Sequence, residues 1–274
     1  MTSATTKEPG PVSGYPKFVT STSDDTTRSW ATRSRSILSS QIRVISNAYV
    51  KLVPLDLEYH LPTFFRLSQL CPELYAHTPW GPWNSVAELR AEFLDTEPTH
   101  DLSFTNPESF AFAIIDKTRR ASDADPDGEV AGTISFTHIS LTDLSTEIGF
   151  VIILPPYQRS HVASNAIGLA LEYALEMPEN GGLGLRRIHW KTSTENTASR
   201  RLAERLRFDM VGTTPWHMRY VQGKRRSKIG NGKEIPPGSD PEDLWRDTVN
   251  YSLAWDRWEG FARERTAQMM IKRS

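Results

Sequence analysis

The chain has 274 residues, a mass of 31.0 kDa and a formal net charge of -1. Hydrophobic residues make up 38% and charged residues 24%, an ordinary globular balance. The near-zero charge argues against a nucleic-acid partner, because general nucleic-acid binders carry a basic excess on the binding face. The single cysteine, Cys71, excludes an intramolecular disulfide, and the seven histidines show no ligand spacing with Cys or carboxylates, so no metal site is expected. No apolar run is long enough to cross a bilayer, and the N-terminus lacks the apolar core of a secretory signal. No membrane partner is expected, and a cytoplasmic location is the default.

Residues 1–45 are rich in Ser and Thr with scattered Gly and Pro, and read as a mobile or extended leader before a single domain over 46–274. "YVKLVPL" predicts a strand that stops at Pro54. Asp56 then caps a helix running towards Cys71, with Pro72 at its exit. "YAHTPWGPW" is a turn-rich aromatic loop, after which Asn84 or Ser85 caps a short helix through "VAELRAEFL". Three strands follow at 109–116, 129–140 and 145–154. The polar turn "QRSHVA" (Gln158–Ala163) then opens a helix that is apolar nearly all round and should be covered on more than one side. "RRIHWKTS" reads as a strand and "ENTASRRLAERLRF" as a helix. "MVGTTPWHMRYV" and "DTVNYSLAW" read as strands on either side of a Gly/Lys/Pro-rich insert at 222–243, and an amphipathic helix from about Asp256 closes the chain. The basic run Lys224-Arg225-Arg226 with Lys228 reads as a solvated loop. The order of elements describes a mixed α/β fold wrapped on one sheet.

The turn carries the first chemical signal. A strand that hands directly to a helix leaves the first helical amides unpaired. Those amides and the aligned peptide dipoles favour an anion by roughly 0.3–1 kcal/mol each, up to ~2 when partly buried. In QRSHVA the candidates are the amides of 159–163, with Arg159 and Ser160 able to add side-chain donors. A histidine forced into left-handed geometry would cost roughly 1–2 kcal/mol, so His161 suits such a loop only where the backbone is already right-handed. On spacing alone, a phosphate loop and a bare strand–turn–helix corner are equal readings.

With its neighbours, the turn resembles the acyl-CoA loop of the GNAT (Gcn5-related N-acetyltransferase) superfamily, and within it the RimJ/RimL-like branch. That loop has the pattern Gln/Arg-x-x-Gly-x-Gly/Ala. Gln158, Arg159, Ser160, His161, Val162 and Ala163 match it with His161 in the glycine place. "EIGFVI" is similar to the family's Glu-Ile-Gly-aromatic strand, and "ENTASRRLAERLRF" to its Glu-Asn-x-x-Ser helix. The resemblance implies a mixed, mostly antiparallel twisted sheet with a splayed central strand pair, flanked by helices. It implies transfer of an acetyl group from acetyl-CoA to an amine of a small molecule or a peptide or protein N-terminus, by direct attack through a tetrahedral intermediate, in a monomer or homodimer. O-acyl transfer and a CoA-binding or partner-binding fold without turnover are the alternatives.

The resemblance also assigns residues. The pantetheine arm of CoA would pair with the backbone at Val151, Ile152 and Ile153. The pyrophosphate would sit on the amides of 159–163, and Asn196 and Ser199 would contact the cofactor. A tyrosine that protonates the departing thiolate in many members is replaced here by Ala203. The acceptor pocket would lie under the aromatic loop, at Tyr75, His77, Trp80 and Trp83. Acyl transfer to an amine needs a neutral amine, a stabilised oxyanion and a proton for sulfur. Glu147 is the first candidate base, on the face of Gly149 and Val151 by period-2 geometry. His138, on the face of Ile134 and Phe136, is the second. Tyr251 on the last strand is a candidate for the missing acid, against the alternative of a half-buried strand tyrosine.

Overall fold

The structure is a computed structural model that describes residues 43–94, 106, 108–220 and 227–271. Nearly all of the leader and the basic run at 224–226 lie outside the described residues. In chain order the elements are β1 (Ile45–Ser46), β2 (Val50–Pro54), α1 (Leu61–Ser68), α2 (Val86–Leu94), β3 (Phe110–Asp116), β4 (Glu129–Ser140) and β5 (Ser145–Ile153). They continue with α3 (Val162–Leu175), β6 (Arg187–Ser193), α4 (Thr197–Arg205), β7 (Asp209–Arg219) and β8 (Trp245–Ala254). A C-terminal helical stretch follows: α5 (Trp255–Arg257), a π-helical turn (Trp258–Ala262) and α6 (Arg263–Ile271).

Two boundaries move from their expected places. Asp56 Oδ1 accepts the amides of Glu58 at 2.8 Å and Tyr59 at 3.0 Å, so it caps a turn, and α1 starts only at Leu61 with a proline in its first turn. Strand β8 begins at Trp245, two residues before the expected start, which draws Arg246 into the sheet. The cap of α2 is Ser85, whose hydroxyl accepts the Glu88 amide at 3.1 Å while the Glu88 carboxylate accepts the Asn84 amide at 2.8 Å.

One eight-stranded sheet runs in the order β1-β2-β3-β4-β5-β6-β8-β7. Every neighbouring pair is antiparallel except β5 and β6. These two are parallel and pair at Ser145/Arg187, Thr146/Ile188 and Glu147/His189 alone. Beyond Glu147 they diverge, while β6 keeps its full pairing with β8 on the other side. The expected mixed sheet with a splayed pair is therefore present. Helix α3 touches β1 to β6 on one side and α6 on the other, so its all-round apolar surface is covered as its composition requires.

The divergence coincides with a bulge in β5. Ser135 pairs with Gly149 and Thr133 with Ile152, so Phe150 and Val151 together oppose Ile134. Phe150 adopts φ 49° there, and its ring packs on Trp80 (centroids 4.6 Å apart), Phe93 (5.6 Å) and Phe64 (6.5 Å). A non-glycine residue in this region costs about 1–3 kcal/mol. Each aromatic pair stabilises by about 0.5–1.5 kcal/mol beyond its buried area, so the ring contacts offset the strain. The extra residue bends the strand and carries it away from β6.

Opposite the bulge β4 and β5 run unusually close. A Cβ on Gly132 would lie 2.1 Å from the Ile152 carbonyl oxygen, a backbone atom that cannot swing aside, whereas a Cβ on Gly212 in β7 would meet nothing within 4 Å. Gly132→Ala is therefore expected to destabilise by about 1–3 kcal/mol through overpacking. Gly212→Ala should be neutral, or stabilising by up to about 1 kcal/mol through the unfolded chain. Thermal denaturation of the two variants side by side checks this. Equal melting temperatures would mean that the β4–β5 approach does not constrain the fold.

Candidate active site

The gap between β5 and β6 opens into a cleft of about 760 Å³. Its walls are β5 from Ile148 to Ile153, β6 from Trp190 to Thr192, the start of α4 at Asn196–Ser199, and the loop from Glu73 to Trp80. His217, Met218 and Arg246 of β7 and β8 close the far end. Gln158 and Ala163 line it where β5 hands over to α3.

Glu147 stands where the last β5–β6 pair is made, 9% exposed. Its Oε2 lies 2.7 Å from Lys191 Nζ, an ion pair off hydrogen-bond alignment, and 3.4 Å from His138 Nδ1. Burial pushes the Glu147 carboxyl up, but His138 and Lys191 together outweigh it and hold the group below its ordinary value, so it is a carboxylate throughout the neutral range. The ordinary alternation of β4 would turn His138 away, with Ile134 and Phe136. A second bulge prevents this. Thr137 pairs with Glu147 and Ser140 with Ser145, leaving two residues opposite Thr146, and His138 takes φ 51°. Its side chain, 46% exposed, therefore meets Glu147. The bulge in β5 corrects the second face assignment as well. Thr133 and Ser135 share a face of β4, so their partners Ile152 and Gly149 share one on β5, and Val151 does not follow Gly149.

At the other end of the cleft, His161 is right-handed at φ -67°, ψ -17°, immediately before the first residue of α3. The left-handed residue of the turn is Arg159, at φ 56°. Ser160 Oγ donates to the Tyr157 carbonyl at 2.5 Å and accepts the Val162 amide at 3.2 Å. The amides of Arg159, Ser160, His161, Ala163 and Ser164 have no acceptor among the described residues. The His161 ring does not lean towards this anion site. Its Nε2 is 3.1 Å from Asp116 Oδ1, and its ring lies 5.9 Å from that of Tyr49. Gln158 Nε2 donates to the Ile153 carbonyl at 2.9 Å, tying the turn to the end of β5. Unpaired amides at a helix start and an open strand edge at Val151–Ile153 suit an extended, amide-bearing arm that ends in pyrophosphate.

Asn196 caps α4 by accepting the Ser199 amide at 3.1 Å, and Ser199 Oγ accepts from Trp190 Nε1 at 2.9 Å; both residues still line the cleft. His77 and Trp80 line it from the aromatic loop. Tyr75 and Trp83 do not: they pack edge to face at 4.9 Å and are 1% and 6% exposed, so they hold the loop to the core. Tyr251 is also outside the cleft. Alternation along β8 sends it to the face opposite Arg246 and Thr248, where it is buried and donates to Glu204 Oε1 at 3.3 Å.

Lys191, Arg246 and Lys228 escaped the sequence reading. Lys191 had a visible signal, because Arg187, His189 and Lys191 alternate along β6 and give one basic face. Arg246 fell between the insert at 222–243 and the expected strand start at Asp247. Lys228 is not solvated. Its Nζ donates to the carbonyls of Tyr75 (2.9 Å), Thr78 (2.7 Å) and Trp80 (2.6 Å), binding the insert to the aromatic loop.

Comparison with known proteins agrees with this geometry. Residues 50–209, more than half of the chain, match the profile of the acetyltransferase (GNAT) domain. No curated protein sequence matches significantly. Among solved structures, a GCN5-related N-acetyltransferase from Brucella melitensis aligns at 25% identity and a TM-score of 0.61, covering 83% of this chain and 85% of that one. A probable GNAT-family acetyltransferase from Chromobacterium violaceum aligns at 22% and 0.59, covering 92% and 100%. RimJ of Mycobacterium smegmatis, in complex with CoA-disulfide, aligns at 18% and 0.54, covering 82% and 91%. The profile spans the stretch from β2 to the start of β7, which contains the splay, the anion turn and Glu147. The chain belongs to the GNAT acetyltransferase family, whose general reaction is acyl transfer from acyl-CoA to an amine.

Proposed function

We propose that the protein is an N-acetyltransferase of the RimJ/RimL-like branch, with acetyl-CoA as donor and the amine of a small molecule or a peptide N-terminus as acceptor. The observation that carries this reading is a single cleft with unpaired helix-start amides at one end and the buried Glu147 carboxylate in its wall. The β5 edge would bind the donor's arm, the 159–163 amides its pyrophosphate, and the backbone at Val151 or Ile152 would face the developing oxyanion. The nitrogen–carbon bond forms first, giving a tetrahedral intermediate whose collapse breaks the sulfur–carbon bond; the amine gives up a proton and the thiolate gains one. Glu147, with its low pKa, is suited to relay the amine proton through water rather than to hold it.

A second reading, CoA binding without turnover, draws on one observation. Ala203 is fully buried and Tyr251 faces the other way, so neither position offers an acid to the sulfur. Release of free thiol from acetyl-CoA with a panel of amines, with the acetylated product identified by mass spectrometry, separates the two. Binding without release under any amine would favour the second.

Glu147→Gln is expected to lower kcat/KM by about 10²–10⁴-fold, most severely at pH values where the acceptor amine is still protonated. The pH–rate profiles of the two proteins check this, and superimposable profiles would reduce Glu147 to a structural role. Lys191→Met, by removing the cation that helps to keep Glu147 ionised, should move the acidic limb of the profile upwards in pH.

Two loop variants test donor binding by calorimetry at low and high salt. Arg159→Gly relieves the left-handed residue and keeps the amide, yet should weaken acetyl-CoA about tenfold at low salt, ~1.4 kcal/mol, by losing a charge-assisted contact. His161→Gly should change affinity little, since its amide stays. Tenfold tighter binding by His161→Gly would instead identify the histidine as an obstruction.

A further inference from the structure

Arg246 is a buried cation in the acceptor half of the cleft, at 8% exposure. Its Nε donates to Thr248 Oγ1 and one Nη1 hydrogen to the His77 carbonyl, both at 3.0 Å. A guanidinium has five N–H donors, so three remain without a partner among the described residues. Both acceptors are neutral, and no carboxylate among the described residues forms an ion pair with it. Glu147 is near enough for its field to reach Arg246, but that carboxylate is already engaged by Lys191 and His138. Asp247, the next residue, lies on the other face of β8 and is held by Lys233, Asn231 and the Trp216 amide. Glu73, on the rim, is exposed to solvent.

The guanidinium is also held in a fixed plane. Thr248 Oγ1 accepts from Arg246 Nε and lies 3.0 Å from His217 Nδ1, to which its own proton can go. Thr248 is fully buried and Arg246 nearly so, so this pair is packed in place, with the exposed His217 alongside. A buried charge is retained at such a position only when something compensates it. In a cleft that opens to solvent, a bound anion can do so, and a carboxylate matches the fork of remaining donors.

Resting on the transferase reading above, we propose that the acceptor is an amine that also carries a carboxylate, with the amine presented to Glu147 and the carboxylate to Arg246. Asn250, the partner of Lys191, and Arg246 lie on one face of β8, four residues apart, roughly 13 Å along the strand. Glu147 meets Lys191 while Arg246 lies further along the cleft, which suits an acceptor whose amine and carboxylate are several bonds apart. An ω-amino acid, a dipeptide with a free C-terminus, and a peptide with Glu beside its N-terminal residue share this chemistry. Diamines bring a second cation to the arginine and should be poor acceptors.

The test uses matched acceptors: ω-amino acids and dipeptides against their C-terminal amides, and short peptides with Glu or Gln at the second position. The expected result is at least a tenfold advantage in kcat/KM for the carboxylate member of one series, and that series names the source. Arg246→Gln should abolish the advantage while keeping the affinity for acetyl-CoA; Arg246→Lys should retain part of it. Equal rates for acid and amide, or an advantage that survives in a folded Arg246→Gln protein, would overturn the proposal. If no amine is acetylated, the transferase reading has failed. Thermal shift with the same acids and amides then decides about Arg246 alone: stabilisation by acids that Arg246→Gln removes supports the anion site, and its absence in the wild type refutes it. Should Arg246→Gln fail to fold, the comparison of acids with amides in the wild type and in Arg246→Lys stands in its place.

Discussion

The parting of β5 from β6 after three paired positions is the constraint from which the site follows. Because β8 takes the whole of the other edge of β6, the unpaired length of β5 remains as a strand edge inside the protein. An unpaired edge on an outer surface invites association with other chains. Recessed in a cleft, the same row of amides and carbonyls is instead available to a ligand with backbone-like groups. The end of β5 hands over through a short turn to α3, so the edge and the helix-start amides are ends of one groove.

Two bulges flank Glu147, and they do different things. The bulge in β4 turns His138 towards the carboxylate that regular alternation would have kept from it. The bulge in β5 bends the strand away from β6 and sends Phe150 into the aromatic cluster beneath the 75–83 loop. The open strand and the aromatic loop thus share a packing contact, Phe150 on Trp80. Strain at His138 and Phe150 is the local cost of a site that a regular ladder would not form.

The order of strands and helices was legible because it rests on periodicity and on Gly, Pro and Asp punctuation, which are local. The strand–turn–helix corner at 153–163 was legible for the same reason. Which face a side chain occupies was less so. His138 and Val151 were assigned by strict alternation, and each bulge defeats that rule through pairing with a strand outside the local window. Tyr75 and Trp83 illustrate the opposite problem, since aromatic composition cannot distinguish a ring that lines a cavity from one that anchors a loop. Only the Gly81 turn, where a Cβ would strike the Tyr75 ring, reveals the close packing. Arg246 reaches His77 across 169 residues and Lys228 reaches Tyr75 across 153, and the local pattern around neither announces the loop.

The contact of Lys228 with three carbonyls of the aromatic loop has a consequence for how such a protein changes over time. The carbonyls belong to the backbone, so the clasp is indifferent to which side chains the loop displays. A position such as His77, held through its carbonyl and not its side chain, can therefore change while the loop's path stays fixed from outside, by a lysine delivered from a segment that follows β7. The loop's shape and its chemistry are under separate control: one is written in the insert, the other in the loop. Substitution within the loop alone can change what it displays to the cleft, without rebuilding the strands beside it.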